Sequence, residues 1–290
     1  MNICIIIPAH NEEAFIERCL RSLVSQTYQA AQIIVVNDNS TDQTPILIDE
    51  FAKKHSYIQA VHATSSEAHE PGSKIINAFY KGYKLINANY DIVCKFDADL
   101  IFPKNYLSEL KKAFSTNPKL GMFAGFCYIQ TDHKNWEIEN LTNKEHIRGP
   151  LKAYRNLCFQ QIGGLQSEMG WDTVDELLAR YYGWETKTTE NLIVKHLKPT
   201  GKLYSSTLAQ RFGVALYKMD YGIVLSFIGL LKLGYLKKET SFFVNGITSY
   251  IKAALHTKPE KMVNAKQGKF IRNYRWKMIF KKIKLTSNNS

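Results

Sequence analysis

With 290 residues, 45% of them hydrophobic and 22% charged, the chain has the size and composition of a globular protein that makes one large domain or one domain with an appendage. Five cysteines without a C-x-x-C pair, mostly in apolar segments, argue against structural zinc and point to a reduced, cytosolic setting, and an apolar strand entered at Asn2 leaves no room for a cleaved signal peptide. The formal net charge of +12 lies wholly in the tail, where from Lys232 onward fourteen Lys and Arg face only Glu239 and Glu260.

Residues 2–7 (N-I-C-I-I-I) form the continuous β-branched run expected of a strand buried on both faces, ended by Pro8. Ala9-His10-Asn11-Glu12-Glu13 leads into Phe15, Ile16, Cys19, Leu20 and Leu23, spaced as the inner face of a helix with an acidic first turn. The pattern then repeats, with a strand over 32–36, a polar loop over 37–42, and a helix over 44–54 that turns Ile48 and Phe51 inward. A third strand is expected over 58–63 and a helix over 73–87, with Ile76, Phe79, Tyr80 and Tyr83 on one side.

The next apolar run begins at Tyr90 and ends in Phe96-Asp97-Ala98-Asp99-Leu100. Strand geometry turns Asp97 and Asp99 the same way, with little bulk from Ala98 between them. Two adjacent carboxylates repel, and a hard divalent cation shared with substrate phosphates relieves that repulsion, so the motif points to a metal-diphosphate site. D-x-D also occurs at turns, calcium loops and solvated strand ends. Strands alternating with helices give a parallel sheet with covered faces, and ligands bind outside the carboxyl ends of its strands. The loops carrying Pro8 to Glu12, Asp38, and Asp97 to Asp99 should therefore line one edge. Neither G-x-G-x-x-G nor G-x-x-x-x-G-K-[ST] occurs there, leaving the phosphates to a carboxylate-held metal.

In the second half, residues 122–130 read as a strand, and Arg148-Gly149-Pro150 opens a segment ending in C-F-Q-Q-I-G-G-L at 158–165. Gly170-Trp171-Asp172-Thr173-Val174-Asp175-Glu176 leads into a helix through Leu177, Leu178 and Tyr181, closed by Gly183. His196 follows an apolar strand over 192–194, and Lys198-Pro199-Thr200-Gly201 forms a turn. Residues 221–236 are strongly apolar but contain Lys232, and they fall short of the roughly 20 residues that span a bilayer.

Four stretches, I-I-I-P-A-H-N-E-E at 5–13, I-V-V-N-D-N-S-T-D-Q-T at 34–44, G-S-K-I-I-N-A-F at 72–79 and D-I-V-C-K-F-D-A-D at 91–99, resemble in order and spacing the family 2 glycosyltransferases of the GT-A fold. The resemblance implies a Rossmann-like, mixed but mainly parallel sheet flanked by helices over residues 1–210, with a helical, basic C-terminal extension over 211–290 similar to that of some bacterial members. It implies that Pro8, Ala9, His10, Glu12 and Asp38 hold the nucleoside of a nucleotide sugar, that Lys74 lies near base or phosphates, and that Asp97, Ala98 and Asp99 manage ribose and metal. His196 is a further candidate metal ligand, giving a set of Asp99, Asp97 and His196 for Mn²⁺ or Mg²⁺. Relatives carry Glu-Asp before the glycine-ended helix, with the Asp as catalytic base. Here Trp171 replaces the Glu, which leaves Asp172 as first candidate and Asp175 as second.

Plainer roles exist for each: Glu12 and Glu13 complement a helix N-terminus, Asp38 or Asp172 caps one, Lys74 is solvated, and His196 is a buried structural residue. The expectation is an inverting, metal-dependent transfer from a nucleoside diphosphate sugar, UDP-linked by preference, to a saccharide or lipid-linked saccharide in cell-surface polysaccharide synthesis. A non-catalytic nucleotide-sugar-binding module and a haloacid-dehalogenase-type phosphotransferase are the alternatives. The basic tail interleaves Phe270, Ile271, Tyr274, Met278 and Phe280 with Lys and Arg. It is expected either to dock a cytoplasmic protein on the anionic inner membrane surface or to pack on the core; no motif supports nucleic-acid binding.

Overall fold

The computed structural model of the chain describes residues 1–64, 73–131, 135–139, 144–198 and 206–287. Two compact units emerge, one formed by Met1–Ser167 with Tyr182–Gly201, the other by Glu168–Tyr181 with Lys202–Ser290.

The first unit is built on β1 (Ile3–Ala9), β2 (Gln32–Asp38), β3 (Ile58–Ala63) and β4 (Ile92–Phe96), linked by α1 (Ile16–Val24), α2 (Thr44–Lys54) and α3 (Ser73–Tyr83). Every residue of β1, β2 and β4 is buried, as expected of strands covered on both faces. After β4 come β5 (Leu100–Ile101), α4 (Tyr106–Thr116), β6 (Leu120–Gln130), β7 (Trp136–Ile138), β8 (Leu151–Arg155), α5 (Asn156–Gln161) and, beyond the second unit's α6 (Trp171–Tyr181), β9 (Glu185–His196).

The sheet order is β3-β2-β1-β4-β8-β6-β9-β5, with β7 on β6. β1 pairs in parallel with β2 and β4, β2 with β3, and β6 with β9, whereas β8 runs antiparallel to both β4 and β6. The carboxyl ends of β2, β1 and β4 thus stand side by side, which brings the three expected loops to one edge. α3 lies close on the sheet because Gly82 has no side chain: a Cβ there would meet Val36 and Ile6 at 2.8 and 2.9 Å. This helix ends at Tyr83, short of the expected 87, and the expected strand over 192–194 is the end of the longer β9.

The second unit consists of α6, α7 (Ser206–Lys218), α8 (Ile223–Lys237), α9 (Thr240–Lys252) with a π-helical turn at Ala253–Thr257, and α10 (Ala265–Ser287). Residue 210 thus lies inside α7. α7 and α9 cross closely at two glycines, since a Cβ on Gly213 would fall 2.0 Å from the Gly246 carbonyl oxygen. Asp220, in the left-handed region at φ 57°, ties the α7–α8 turn to α10 by accepting from Arg272, and it also pairs with Lys261. Tyr181 meets Phe270 edge-on at 5.5 Å, packing α10 on α6.

Candidate active site

The loops after β1 and β2 hold each other. Asn11 adopts φ 53° and Asn39 φ 60°, a left-handed turn that asparagine tolerates better than most residues. The Asn11 N–H donates to Ser40 Oγ (2.9 Å), the Thr41 N–H to Asn11 Oδ1 (2.8 Å), and the Glu12 N–H to Thr44 Oγ1 (2.8 Å). Glu13 accepts from the Gln43 N–H at 2.9 Å, at the entrance to α2, so this carboxylate does serve a helix N-terminus, that of the neighbouring helix. His10 Nδ1–H donates to the Asp38 carbonyl oxygen at 2.7 Å. The buried Asp38 carboxylate faces Lys81 Nζ at 3.5 Å. Pro8 and Ala9 form the buried end of β1, and Lys74 is half-buried in the first turn of α3. Gly72 lies outside the described residues.

Asp97 and Asp99 leave β4 with different partners. Asp97 Oδ1 accepts from Lys95 Nζ, a lysine buried inside the same strand. Asp99 Oδ2 lies 3.2 Å from His196 Nε2, because the two-residue β5 pairs antiparallel with the end of β9, Leu100 opposite His196. The other ring nitrogen, Nδ1, bonds Glu139 Oε2 at 2.7 Å, and Glu139 is in turn paired with Arg148. The buried Ala98 leaves room between the two aspartates.

Two buried carboxylate oxygens at this edge have no hydrogen-bond partner among the described residues: Asp99 Oδ1 and Glu12 Oε2. The other Glu12 oxygen pairs with Lys198 at 3.0 Å. Burial pushes the Glu12 carboxyl up, against the pull of Lys198, and the charges of Asp99 and Asp97 add to the rise. A buried acceptor without a donor is costly, and a cation or a protonated ligand satisfies it. Because the Glu12 value is raised in the fold, its charged form opposes folding. Stability lost through this group is absent below its ordinary value of 4.5 and grows as pH rises through the raised value. Melting curves of Glu12→Gln are therefore expected to fall less than those of the wild type as pH climbs through that range; parallel curves would contradict the assignment.

The chemistry of the donor set suits a divalent cation at Asp99 and His196, a carboxylate and an imidazole with an orphaned oxygen beside them. Cys127, Glu139 and His196 also bring potential ligand atoms within 4.8 Å of one another. That trio is the poorer site, since burial pushes the Cys127 thiol up to about 12 and Glu139 is already held by Arg148. Glu139 fits better as the group that fixes the tautomer and aim of His196. Glu139→Gln is expected to weaken binding of a divalent cation by about 10- to 100-fold, measured by calorimetric titration of Mn²⁺; unchanged affinity would sink that role.

The Gly163-Gly164 turn, at φ 80° and 75°, closes against Tyr80, whose hydroxyl donates to the Leu165 carbonyl at 2.8 Å and accepts from its N–H at 2.7 Å. In the second unit, Gly170 (φ 87°) precedes α6, and Asp172 falls within the first helical turn and is partly exposed. Asp175 is 1% exposed, its Oδ1 accepting the Glu176 N–H at 2.6 Å. Burial raises the Tyr221 phenol, with Asp172 and Glu176 adding to the rise and Arg275 opposing it, so charged side chains cluster along this helix. Sequence reasoning missed Lys95, Glu139, Arg148 and Lys198 as parts of the site. A lysine inside the apolar run I-V-C-K-F was the available signal, because lysine is almost never fully buried without a partner.

The sequence profile described as glycosyl transferase family 2 matches residues 4–167. The chain is similar to the probable glycosyltransferase YdaM of Bacillus subtilis (strain 168), 32% identical over 125 residues, which cover 42% of this chain and 29% of YdaM. It spans only 24% to 29% of the length of three such curated relatives. Among solved structures it resembles S. aureus TarS 1-349 in complex with UDP-GlcNAc, with TM-score 0.63 and 16% identity over 87% of this chain and 81% of that one. It also resembles the mannosyltransferase PcManGT of Pyrobaculum calidifontis in complex with GDP-Man and Mn²⁺, with TM-score 0.54 and 15% identity over 99% of this chain and 83% of that one. At these identities the likeness is one of fold, the GT-A fold.

Proposed function

The chain belongs to glycosyl transferase family 2, and from that membership we propose that it moves a sugar, with inversion, from a nucleoside diphosphate donor to a saccharide or lipid-linked saccharide acceptor. The observation that carries this reading is the pairing of Asp99 with His196 at the carboxyl edge of the sheet, beside two orphaned carboxylate oxygens. Asp99 and His196 would hold Mn²⁺ in preference to Mg²⁺, which prefers an oxygen-only shell. Bound there, the cation supplies charge stabilisation to the departing diphosphate.

The other roles fall to the chain itself. Pro8, Ala9, His10 and Asp38 shape the nucleoside pocket, where the buried Asp38 carboxylate accepts from base or ribose hydrogens. Asp97, neutralised by Lys95, contributes hydrogen bonds to the ribose and not a ligand to the metal. Lys74 attracts the phosphates from the first turn of α3. Asp172 takes the proton of the acceptor hydroxyl as its oxygen bonds the anomeric carbon and the bond from that carbon to the diphosphate oxygen breaks. A single displacement of this kind inverts the anomeric centre. Of the donors, a UDP-sugar is preferred to a GDP-sugar, and the fold is shared with complexes of both kinds. The basic C-terminal region holds the protein on the cytoplasmic face of an anionic membrane, where lipid-linked acceptors are reached.

The test is turnover of a panel of UDP- and GDP-sugars with saccharide and lipid-linked acceptors, the anomeric configuration of the product being read by NMR. Inverted product from a UDP-sugar is expected. Retained configuration would contradict the single-displacement mechanism, and release of inorganic phosphate alone would contradict glycosyl transfer.

A further inference from the structure

No helix among the described residues is long and apolar enough to cross a membrane, yet α8 is apolar on its outward as well as its inward side. Leu225, Ser226, Leu230 and Gly234 are buried. Val224, Phe227, Ile228, Leu231 and Tyr235, spaced i, i+3, i+4, i+7 and i+11, form one continuous stripe on the opposite side. This stripe is largely open, with Val224 exposed by 55%, Leu231 by 50% and Tyr235 by 83%, while Phe227, exposed by 46%, meets Phe243 of α9 edge-on at 5.1 Å. A helix that is apolar all round belongs in an apolar environment.

We propose that this face of α8 lies in the interfacial layer of an anionic bilayer, parallel to its plane, and so sets the depth at which the protein docks. The inference rests on the membrane reading above and adds the surface that makes contact. At ~22 Å the helix is too short to span the hydrocarbon, which favours lying in the interface. Its own cations fit an anionic surface: Lys232, Lys237 and Lys238 sit at its C-terminal half and end, and elsewhere in the same unit the last turns of α10 expose Lys277, Lys281, Lys282 and Lys284. Lysine stems reach along apolar surface while their ammonium groups stay among headgroups. The same charge disfavours a second copy as the occupant, because each copy would bring its own Lys232, Lys237 and Lys238 to the contact.

The test is sedimentation of the full chain with vesicles of phosphatidylcholine, with or without phosphatidylglycerol. It is paired with a polarity-sensitive fluorophore on Tyr235→Cys, a strategy helped by the burial of all five native cysteines. Binding to the anionic vesicles is expected, with a blue shift at position 235 and none for the same probe on Ile46→Cys in α2. The double variant Phe227→Ser, Leu231→Ser should bind at least tenfold more weakly at any salt concentration, and Lys281→Gln with Lys282→Gln and Lys284→Gln should lose salt-sensitive binding. Undiminished binding by the apolar variant with no probe shift would overturn the α8 contact and leave docking to the basic tail alone. Absence of binding to either vesicle would overturn the membrane reading as well. A dimer in vesicle-free solution that dissolves on Leu231→Ser would overturn the proposal by assigning the face to a second copy.

Discussion

Asp172→Asn is expected to lower kcat by about 10²- to 10⁴-fold while leaving binding of the nucleoside diphosphate unchanged. An acceptor hydroxyl is a weak nucleophile at neutral pH, and a carboxylate that receives its proton as the new bond forms is the group whose loss the chemical step feels most. Asparagine keeps the size and the acceptor oxygen of Asp172 but cannot take up a proton. Asp172 is preferred over Asp175 because it is partly exposed in the first turn of α6, whereas Asp175 is buried and accepts a backbone N–H. Asp175→Asn should accordingly lower the melting temperature more than kcat. The reverse pattern, with an active Asp172→Asn and an inactive but stable Asp175→Asn, would exchange the two roles. A donor-binding chain indifferent to both substitutions would be a nucleotide-sugar-binding module.

Asp99→Asn is expected to weaken metal-dependent nucleotide binding by at least about a hundredfold, more than loss of a group that only orients a ligand. The substitution removes a charge from a place where Glu12, Asp97 and Asp99 repel one another, so the protein without metal should keep its fold. Asp97→Asn offers the contrast. Its partner Lys95 is 1% exposed, and a buried ammonium that loses its carboxylate costs on the order of 3 kcal/mol. Asp97→Asn should therefore show mainly as lost stability, and Asp99→Asn mainly as lost metal-dependent affinity. Equal loss of metal-dependent affinity in two stable variants would mean that both aspartates hold the cation.

The first half of the chain was legible because its signals are local. The runs that become β1, β2 and β4 are apolar and short, the intervening helices carry inward residues at helical spacing, and each loop that lines the edge follows directly from its strand. α4 carries the same kind of signal in Tyr106, Leu107, Leu110 and Phe114, all buried, although no helix was expected there. What periodicity cannot encode is long-range pairing. β5 has only two residues, too few for a pattern, yet its pairing with β9 brings His196 to Asp99 across nearly a hundred residues of chain. Glu139 follows the three-residue β7, and nothing in its neighbours distinguishes it from a solvated glutamate. β8 inserts antiparallel between β4 and β6, an arrangement that strand–helix alternation does not announce.

Asp172 illustrates a different limit. The spacing to Gly183 located the helix, but the structure starts α6 at Trp171 and puts Asp172 inside its first turn, not at its cap. At the end of the chain, α10 continues through Ser287, and residues 288–290 lie outside those described. The expected turn over 198–201 lies beyond the described residues from 199 onward. The apolar run over 221–236, too short for a membrane span, becomes α8, and only the packed structure separates its buried side from its open one.

The central claim is a metal-held nucleoside diphosphate at Asp99 and His196, and calorimetric titration of UDP and GDP into the purified protein, with Mn²⁺ and with EDTA, tests it most directly. The account predicts UDP binding in Mn²⁺ that disappears in EDTA and in Asp99→Asn. Equal binding with and without the metal, or none of either nucleotide under any condition, would contradict it.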